Sequence, residues 1–167
     1  MLGAMNNNIV MLGVGDFGVS RTPGGMVRTL ALGSCVAILI HDRATGCIGM
    51  DHVALPDSNI APERAKQRPG HFADTGVPAL LRAMQCAAGS VSKKVSVKLV
   101  GGANVADPNN TFNIGKRNAL AVRKALWRYG LGPIAEDLGG NYSRSVSLLV
   151  DDGRVLVTSP GRPAWEV

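Results

Sequence analysis

The sequence has few aromatic residues, few cysteines and no long apolar run. An aromatic fraction of 4% is too low for the stacking platforms that bind single-stranded nucleic acid. The irregular spacing of Cys35, Cys47 and Cys86 argues against a disulfide framework and suits a reducing cytosol. No apolar run approaches the ~20 residues that span a bilayer, and residues 1–8 lack the pattern of a signal peptide. We therefore expect a cytoplasmic protein without membrane insertion and without a nucleic-acid partner.

The chain carries an excess of positive charge. It has 18 lysines and arginines against 12 aspartates and glutamates in 167 residues, a formal net charge of +6. This length suits one domain, which we expect over residues 1–167, with residues 1–8 as a candidate disordered end. The basic residues are scattered, so the excess fits either simple solubility or an acidic protein partner, and the sequence leaves both open.

Apolar runs along the chain predict a series of short strands. A hairpin turn is predicted at Asp151-Asp152-Gly153, and the polar segments 16–25 and 56–70 are interpreted as loops. The predicted strands cover residues 9–14, 26–32, 36–40, 47–53, 95–100, 145–150 and 154–158.

Two segments with helical spacing complete the prediction. The first runs from residue 74 or 75 to Gly89. The second runs from Asn113 to Gly130, with Leu120, Leu126 and Trp127 toward the core. This mixture indicates an α+β fold, a mixed β-sheet or sandwich with flanking helices.

Cys35 and His52 lie at the two ends of a predicted hairpin. If Asp42–Thr45 form a four-residue loop, His41 lies opposite Gly46 and Cys35 lies opposite His52. Directly opposed side chains share one face of the ribbon, with Cβ atoms ~5 Å apart, and a one-residue shift would separate them. The pairing therefore predicts contact between a thiol and an imidazole.

This pair has the chemistry of a cysteine nucleophile. A thiol of ordinary pKa is only a few per cent ionised at pH 7, whereas an adjacent imidazolium lowers that pKa and can protonate a leaving group. A third polar group should orient the ring, and Thr29 can reach it if the chain folds back at Gly33-Ser34. The backbone N–H groups of Ser34 and Cys35 are candidate oxyanion donors.

Structural roles are the competing interpretation for each of these residues. A lone cysteine in an apolar strand is usually a small core residue, and a single histidine or strand threonine is commonly structural. The predicted pairing puts Cys47 on the other face from Cys35, so these two cysteines with His41 and His52 cannot converge on one zinc ion. We expect no metal or cofactor. Packing roles are predicted for Cys47 and Cys86, and surface or loop positions for His41 and His71.

Several motifs occur in an order that resembles one known family. Leu-Gly-Ser-Cys-Val-Ala at residues 32–37 is followed by Gly-Met-Asp-His-Val-Ala-Leu-Pro at residues 49–56. Further along the chain are Phe72-Ala73-Asp74, Gly101-Gly102-Ala103, Ile114-Gly115-Lys116-Arg117-Asn118, and Asp137-Leu138-Gly139-Gly140 before Arg144. This set, from about residue 29 to 157, is similar to the CheD family of chemoreceptor glutamine deamidases.

The resemblance implies both a fold and an activity. It implies a mixed β-sandwich with flanking helices, as in cytotoxic-necrotizing-factor-type cysteine deamidases, and catalytic roles for Cys35, His52 and Thr29. The implied substrates are glutamine side chains on methyl-accepting chemotaxis receptors, and some members of the family also bind a CheC-type phosphatase. Alternatives are a thiol-dependent receptor methylesterase and a non-catalytic chemotaxis adaptor.

Three residues depart from the family pattern. Asp51 stands where asparagine is frequent, and we expect its carboxylate to raise the pKa of His52 or to alter substrate contacts. Ser143 stands where glycine is common, and Phe72 replaces a frequent tyrosine.

Overall fold

Ten strands in two five-stranded sheets form the computed structural model, which describes residues 8–84 and 94–167. The strands are β1 (Ile9–Leu12), β2 (Phe17–Ser20), β3 (Met26–Leu32), β4 (Val36–Asp42), β5 (Cys47–Val53), β6 (Val95–Gly101), β7 (Pro133–Leu138), β8 (Arg144–Leu149), β9 (Val155–Ser159) and β10 (Arg162–Glu166). The order in the first sheet is β1-β3-β8-β9-β10 and in the second β2-β5-β4-β6-β7. Both sheets are mixed, because β1 pairs with β3 and β6 pairs with β7 in parallel, while the other pairs are antiparallel.

The helices are α1 (Pro62–Gln67), α2 (Ala73–Ala83) and α3 (Ile114–Trp127), with short 3-10 turns at Ser58–Ile60 and Pro69–His71. In the described part of the chain, none of the helices is long and apolar enough to cross a membrane.

Two apolar cores lie on opposite sides of the second sheet. The inter-sheet core joins residues such as Val27 and Leu148 of the first sheet to Leu39 and Met50 of the second. The helix-side core packs the other face of the second sheet against α2 and α3. Because successive strand residues point to opposite faces, every residue of β5 is buried on one side or the other.

The structure confirms the α+β fold with two mixed sheets and flanking helices. It differs from the prediction within segments 16–25 and 56–70, where β2 and α1 stand in place of continuous loops. β7 and β10 were not predicted. Their prolines and exposed residues obscure the alternation of apolar and polar side chains that marks a strand. Residues 1–7, Cys86 and Gly89 lie outside the described residues, while Asn8 accepts a backbone hydrogen bond from Met26 N (2.9 Å).

The face of α3 was predicted incorrectly at two positions. Leu126 is fully buried, as expected, but Leu120 is 47% and Trp127 58% exposed. Buried Val122 and Ala125 take the core positions instead, because the apolar stripe that meets the sheet is rotated away from Leu120.

Candidate active site

β4 and β5 form the predicted hairpin, with a register that differs by two residues. Ala37 lies opposite His52, so the prediction that Cys35 lies directly opposite His52 is wrong. Because the register differs by an even number of residues, each side chain stays on the predicted face of the sheet. Cys35 packs against the inter-sheet core, on the same side as Ala37. Cys35 and His52 are consequently diagonal neighbours on one face, an arrangement still within reach of long or aromatic side chains.

The turn explains this register. Asp42 ends β4, accepts hydrogen bonds from Ala44 N and Thr45 Oγ1 (both 2.9 Å), and lies opposite Cys47. Gly46 has φ +68°, a conformation that favours glycine in a loop. The four-residue loop is thus 43–46, one residue later than predicted.

Thr29 on β3 contacts the imidazole of His52. Its Oγ1 lies 2.7 Å from His52 Nδ1 and 3.0 Å from the carbonyl oxygen of Leu12, and Thr29 is fully buried. The carbonyl can only accept, so the single hydroxyl proton goes to Leu12 and Nδ1–H donates to Thr29 Oγ1. This hydrogen-bond pattern assigns the proton of neutral His52 to Nδ1 and leaves a lone pair on Nε2.

A β-bulge brings Thr29 to this position. Thr29 pairs with Val146 and Leu32 pairs with Arg144, so β3 holds one extra residue between them. Ala31 lies in that bulge with φ +53°, an unusual conformation for a residue other than glycine, and its N–H donates to Ser145 Oγ. Bulges redirect strands near functional sites. The chain then passes from the first sheet to the second between Leu32 and Val36, at the Gly33-Ser34 position where the sequence predicted a fold-back.

Burial sets the resting protonation of both candidate catalytic groups. It lowers the pKa of His52 from 6.5 to about 4, and a neighbouring charge on His71 acts in the same direction, while Asp16 opposes both. Burial also raises the pKa of the Cys35 thiol. The thiol and imidazole are therefore both neutral at pH 7, and the predicted imidazolium partner is wrong for the resting protein.

The remaining ring nitrogen of His52 is unoccupied. His52 Nε2 is buried and has no hydrogen-bond partner among the described residues. The predicted contact between the Cys35 thiol and the imidazole is therefore not present as a hydrogen bond, because Cys35 lies diagonal to His52 and not opposite it. A buried polar atom without a partner costs free energy, and such atoms occur where a substrate or a moving group completes the contact. Nε2 is the atom through which His52 can exchange a proton on the face that it shares with Cys35.

The loop that carries Cys35 is held by residues 101–103. Gly102 N donates to Cys35 O and Ala103 N donates to Gly33 O, both at 2.8 Å. Gly101 has φ +119°, and a Cβ at this position would lie 2.3 Å from Cys35 O. This glycine is required both by conformation and by close approach. Among the described residues, the backbone N–H groups of Ser34 and Cys35 donate no hydrogen bond to another residue.

Asn118 of α3 connects the segment that carries Cys35 to the segment that carries His52. It is fully buried, and its Nδ2 donates to Ser34 O and to Ala54 O, each at 3.0 Å. Ser34 precedes Cys35 and Ala54 lies two residues beyond His52. The Asn118 side chain therefore holds a residue next to Cys35 and a residue close to His52 at the same time. In the sequence, only the family motif at residues 114–118 indicated Asn118.

Comparison with known proteins assigns the family. The family model described as "CheD chemotactic sensory transduction" matches residues 54–159. The chain belongs to the CheD family. A relative from Syntrophotalea carbinolica, named "Probable chemoreceptor glutamine deamidase CheD", is 52% identical over 95% of this chain and 98% of its own length. A protein of Syntrophus aciditrophicus, "Probable chemoreceptor glutamine deamidase CheD 1", is 40% identical with the same coverage.

The likeness extends to a third curated protein and, weakly, to a solved structure. A "Probable chemoreceptor glutamine deamidase CheD" of Methanococcus maripaludis is 40% identical over 89% of this chain and 94% of its own. The crystal structure of Bacillus licheniformis hypothetical protein YfiH covers 73% of this chain, which spans 49% of that one, with a TM-score of 0.34 and 10% identity. At that score the likeness carries no argument about fold or function.

In this CheD-family chain, Asp51 does not act on His52 as expected. It occupies the opposite face of β5, where a Cβ on Gly76 would lie 2.1 Å from its Oδ2. Both carboxyl oxygens are buried without a partner among the described residues, and burial raises the pKa of Asp51 well above its usual value. The carboxylate that favours the charged form of His52 is that of Asp16, which was not singled out in the sequence.

The motif before Arg144 has a structural role in this CheD-family chain. Arg144, 2% exposed, forms a two-pronged ion pair with Asp137 through Nε (3.2 Å) and Nη2 (3.0 Å) and also donates to Gly139 O. Trp165 Nε1 donates to the same carboxylate at 2.8 Å. These contacts join strands of both sheets.

The other predicted candidates lie away from the dyad. Cys47 is buried in the helix-side core, on the face opposite Cys35. Within residues 8–84 and 94–167, no three histidine, cysteine, aspartate or glutamate side chains converge as metal ligands would. His41 lies near the turn at Gly153, whereas His71, predicted to be a surface or loop residue, influences His52 electrostatically.

Proposed function

We propose that this CheD-family protein is a cysteine-dependent amidohydrolase that converts glutamine side chains of chemoreceptors to glutamate. The observation that carries this proposal is the Thr29–His52 contact, which leaves Nε2 as an unoccupied base on the face of the Cys35 thiol. The names of the relatives support the substrate class. Cys35, His52 and Thr29 are the proposed catalytic residues.

In the first half of the reaction, His52 acts as a neutral base. Nε2 takes the proton of the Cys35 thiol as sulfur forms a bond to the side-chain carbonyl carbon of glutamine. The N–H groups of Ser34 and Cys35 receive the oxyanion. The imidazolium returns the proton to the amide nitrogen, the carbon–nitrogen bond breaks, and ammonia leaves a thioester on Cys35.

In the second half, water replaces ammonia. His52 Nε2 removes a proton from water as its oxygen attacks the thioester carbon. The carbon–sulfur bond then breaks, the thiolate regains the proton, and the product is glutamate. Thr29 holds Nδ1–H throughout, so the ring changes charge without changing orientation.

The proposal is tested by incubating the protein with the cytoplasmic fragment of a chemoreceptor and mapping glutamine-to-glutamate conversion by mass spectrometry. We expect conversion to be lost in Cys35→Ala and kept in Cys47→Ala, which removes a thiol from the other core. Thr29→Val should lower kcat more than it raises KM, whereas Thr29→Ser should keep most of the activity. Equal products from the wild type and Cys35→Ala would refute the proposal.

The same assay separates the alternatives. Methanol release from methylated receptors without ammonia release indicates a methylesterase, and receptor binding without any conversion indicates an adaptor. The expected place of action is the cytoplasm, and a CheC-type phosphatase is a further predicted partner, which co-purification with a purified CheC-type protein would test.

A further inference from the structure

The turn between β1 and β2 holds the backbone of His52. Gly15 N donates to His52 O (2.8 Å), and His52 N donates to Asp16 O (3.0 Å). Gly15 has φ +79°, so Gly15 and Asp16 together oppose His52 as in a β-bulge with glycine at its first position. Leu12, at the end of β1, accepts the hydroxyl proton of Thr29. This stretch of chain therefore fixes His52 at its backbone and, through Thr29, at its ring.

Asp16 lies on the same face of the second sheet as His52. The register of β2 and β5 pairs Phe17 with Asp51. One further step places Asp16 opposite His52, in agreement with the hydrogen bond between their backbones. Phe17 packs against the helix-side core, so its neighbour Asp16 points toward the inter-sheet side. Directly opposed side chains have Cβ atoms ~5 Å apart, an arrangement that brings the Asp16 carboxylate near the imidazole.

Arg68 fixes the position of the Asp16 carboxylate. Arg68 Nη2 lies 2.6 Å from Asp16 Oδ1 and also donates to Val14 O (2.9 Å). Asp16 Oδ2 accepts from Gly13 N (2.8 Å). The Arg68 and Asp16 side chains are 49% and 46% exposed, so water screens the ion pair and its contribution to stability is small. The pair nevertheless gives the carboxylate one fixed position relative to His52.

Asp16 supplies negative charge near a ring that has to become positive during the proposed reaction. Burial favours the neutral form of the other titratable groups near His52, since it lowers the pKa of His71 and raises the pKa of Cys35 and of Asp51. Asp16 differs, because a hydrogen bond from a backbone N–H lowers the pKa of its carboxyl and keeps it ionised. Burial lowers the pKa of His52, and the Asp16 carboxylate opposes this effect.

We propose that Asp16 is a positioning residue for the reaction of Cys35 and His52. Its backbone carbonyl holds His52, and its carboxylate stabilises the imidazolium that forms when Nε2 takes the thiol proton. The inference rests on the proposed function, because it concerns the base of the same reaction. A carboxylate near a histidine favours the charged ring, and a carboxylate that is already in place needs no rearrangement as the charge develops. Asp16 acts through His52 and exchanges no proton itself.

The test follows the protonation of the His52 ring and the turnover rate separately. The ring is titrated by NMR in the full chain labelled at histidine, and kcat is measured with a chemoreceptor cytoplasmic fragment as substrate. Asp16→Asn should lower the pKa of His52 and reduce kcat by about fivefold, with little change in KM. Asp16→Glu, which keeps the charge, should retain most of the activity.

Arg68→Gln separates an electrostatic role of Asp16 from a structural one. Asp16→Asn and Arg68→Gln both break the ion pair, so a purely structural role predicts the same change in both variants. The electrostatic role predicts opposite changes, because removing the Arg68 cation leaves the Asp16 carboxylate uncompensated and raises the pKa of His52. A shift in the same direction in both variants would overturn the proposal. If Asp16→Asn is unfolded by circular dichroism, an unchanged or lowered pKa of His52 in Arg68→Gln overturns it.

Asp152→Asn and Arg154→Gln are the matched controls. Asp152 and Arg154 form an ion pair of similar exposure, 46% and 51%, between β8 and β9. Both variants should leave kcat and the pKa of His52 unchanged. Normal conversion by the wild type, with the same kcat and the same pKa of His52 in Asp16→Asn, would overturn this inference and leave the proposed function standing. A lowered pKa of His52 in Asp16→Asn, without any conversion by the wild type, would refute the proposed function and keep the electrostatic contact between Asp16 and His52.

Discussion

Asp51 and His52 are neighbours on β5, and burial shifts their pKa values in opposite directions. Burial lowers the pKa of His52 to about 4 and raises that of Asp51. Burial thus favours the neutral form of each group, because a buried charge without a close counter-ion is unfavourable. Burial also raises the pKa of the Cys35 thiol. In the proposed mechanism, Cys35 and His52 therefore start as a neutral thiol and a neutral base.

Asp51→Asn should stabilise the protein increasingly as pH rises. A raised folded-state pKa favours folding below the unfolded value of 3.8, and that contribution is lost as pH rises toward the folded-state pKa. Removing the ionisable group removes this loss. Urea unfolding of wild type and Asp51→Asn from about pH 4 to about pH 8 should show a growing difference in unfolding free energy.

Subtracting the unfolding free energy of wild type from that of Asp51→Asn at each pH cancels the contribution of His52, which both proteins share and which has the opposite pH dependence. The depressed pKa of His52 adds stability above 6.5 that is lost as pH falls toward about 4. A difference between wild type and variant that stays constant with pH would mean that Asp51 is already ionised in the folded protein.

At the scale of elements, the loop that carries the proposed nucleophile Cys35 is shaped by segments far away in the chain. The Cys35 carbonyl is bound by Gly102 N after β6, and the Ser34 carbonyl by Asn118 of α3. Gly115 allows α3 to begin against Gly102, since a Cβ there would lie 2.4 Å from Gly102 O. These contacts explain why the glycine-containing motifs at residues 101–103 and 114–118 accompany the Cys–His segment.

Asn118→Ala should lower both stability and activity. It leaves the half-buried carbonyls of Ser34 and Ala54 without this donor, at a cost of about 1 kcal/mol, and it frees the loop that positions Cys35. At a temperature where the variant is fully folded by circular dichroism, we expect a lower kcat and an altered rate of Cys35 alkylation. Lys116→Ala, an exposed change on the same helix, should affect neither. Unchanged kcat in folded Asn118→Ala would show that Asn118 has no positioning role.

At the scale of the whole molecule, the second sheet is covered on both faces, and the site lies on its inter-sheet side. Thr29 comes from the first sheet and His52 from the second, so the contact between them depends on how the two sheets pack. Arg144 on β8, Asp137 on β7 and Trp165 on β10 connect the same two sheets through one carboxylate.

Arg144→Met should destabilise the fold by about 3–5 kcal/mol, because it leaves the Asp137 carboxylate without its buried partner. Arg123→Met removes the more exposed pair with Glu136 and should cost about 1 kcal/mol or less. Urea denaturation of both variants checks the difference. Similar losses for the two variants would mean that burial adds nothing to the Arg144 contact.

Most local structure followed from the sequence. The strands at residues 26–32 and 47–53 and the Asp151-Asp152-Gly153 hairpin could be predicted because apolar periodicity and turn residues act over short distances. The face of Cys35 was likewise predicted, since an even error in register preserves it. β2 could not be predicted, because its pairing with β5 depends on a partner about 30 residues away.

The sequence by itself determined the α+β class, the hairpin that joins Cys35 to His52, and the family motifs. The tertiary structure decided the register of the hairpin, the neutral state of Cys35 and His52, and the buried Thr29–His52 contact. It also decided the hydrogen bond from Asn118 to Ser34 O. The physical reason is the distance along the chain over which each effect acts. Periodicity and turn chemistry act between near neighbours, whereas desolvation, which sets the pKa values of Cys35 and His52, depends on everything packed around them.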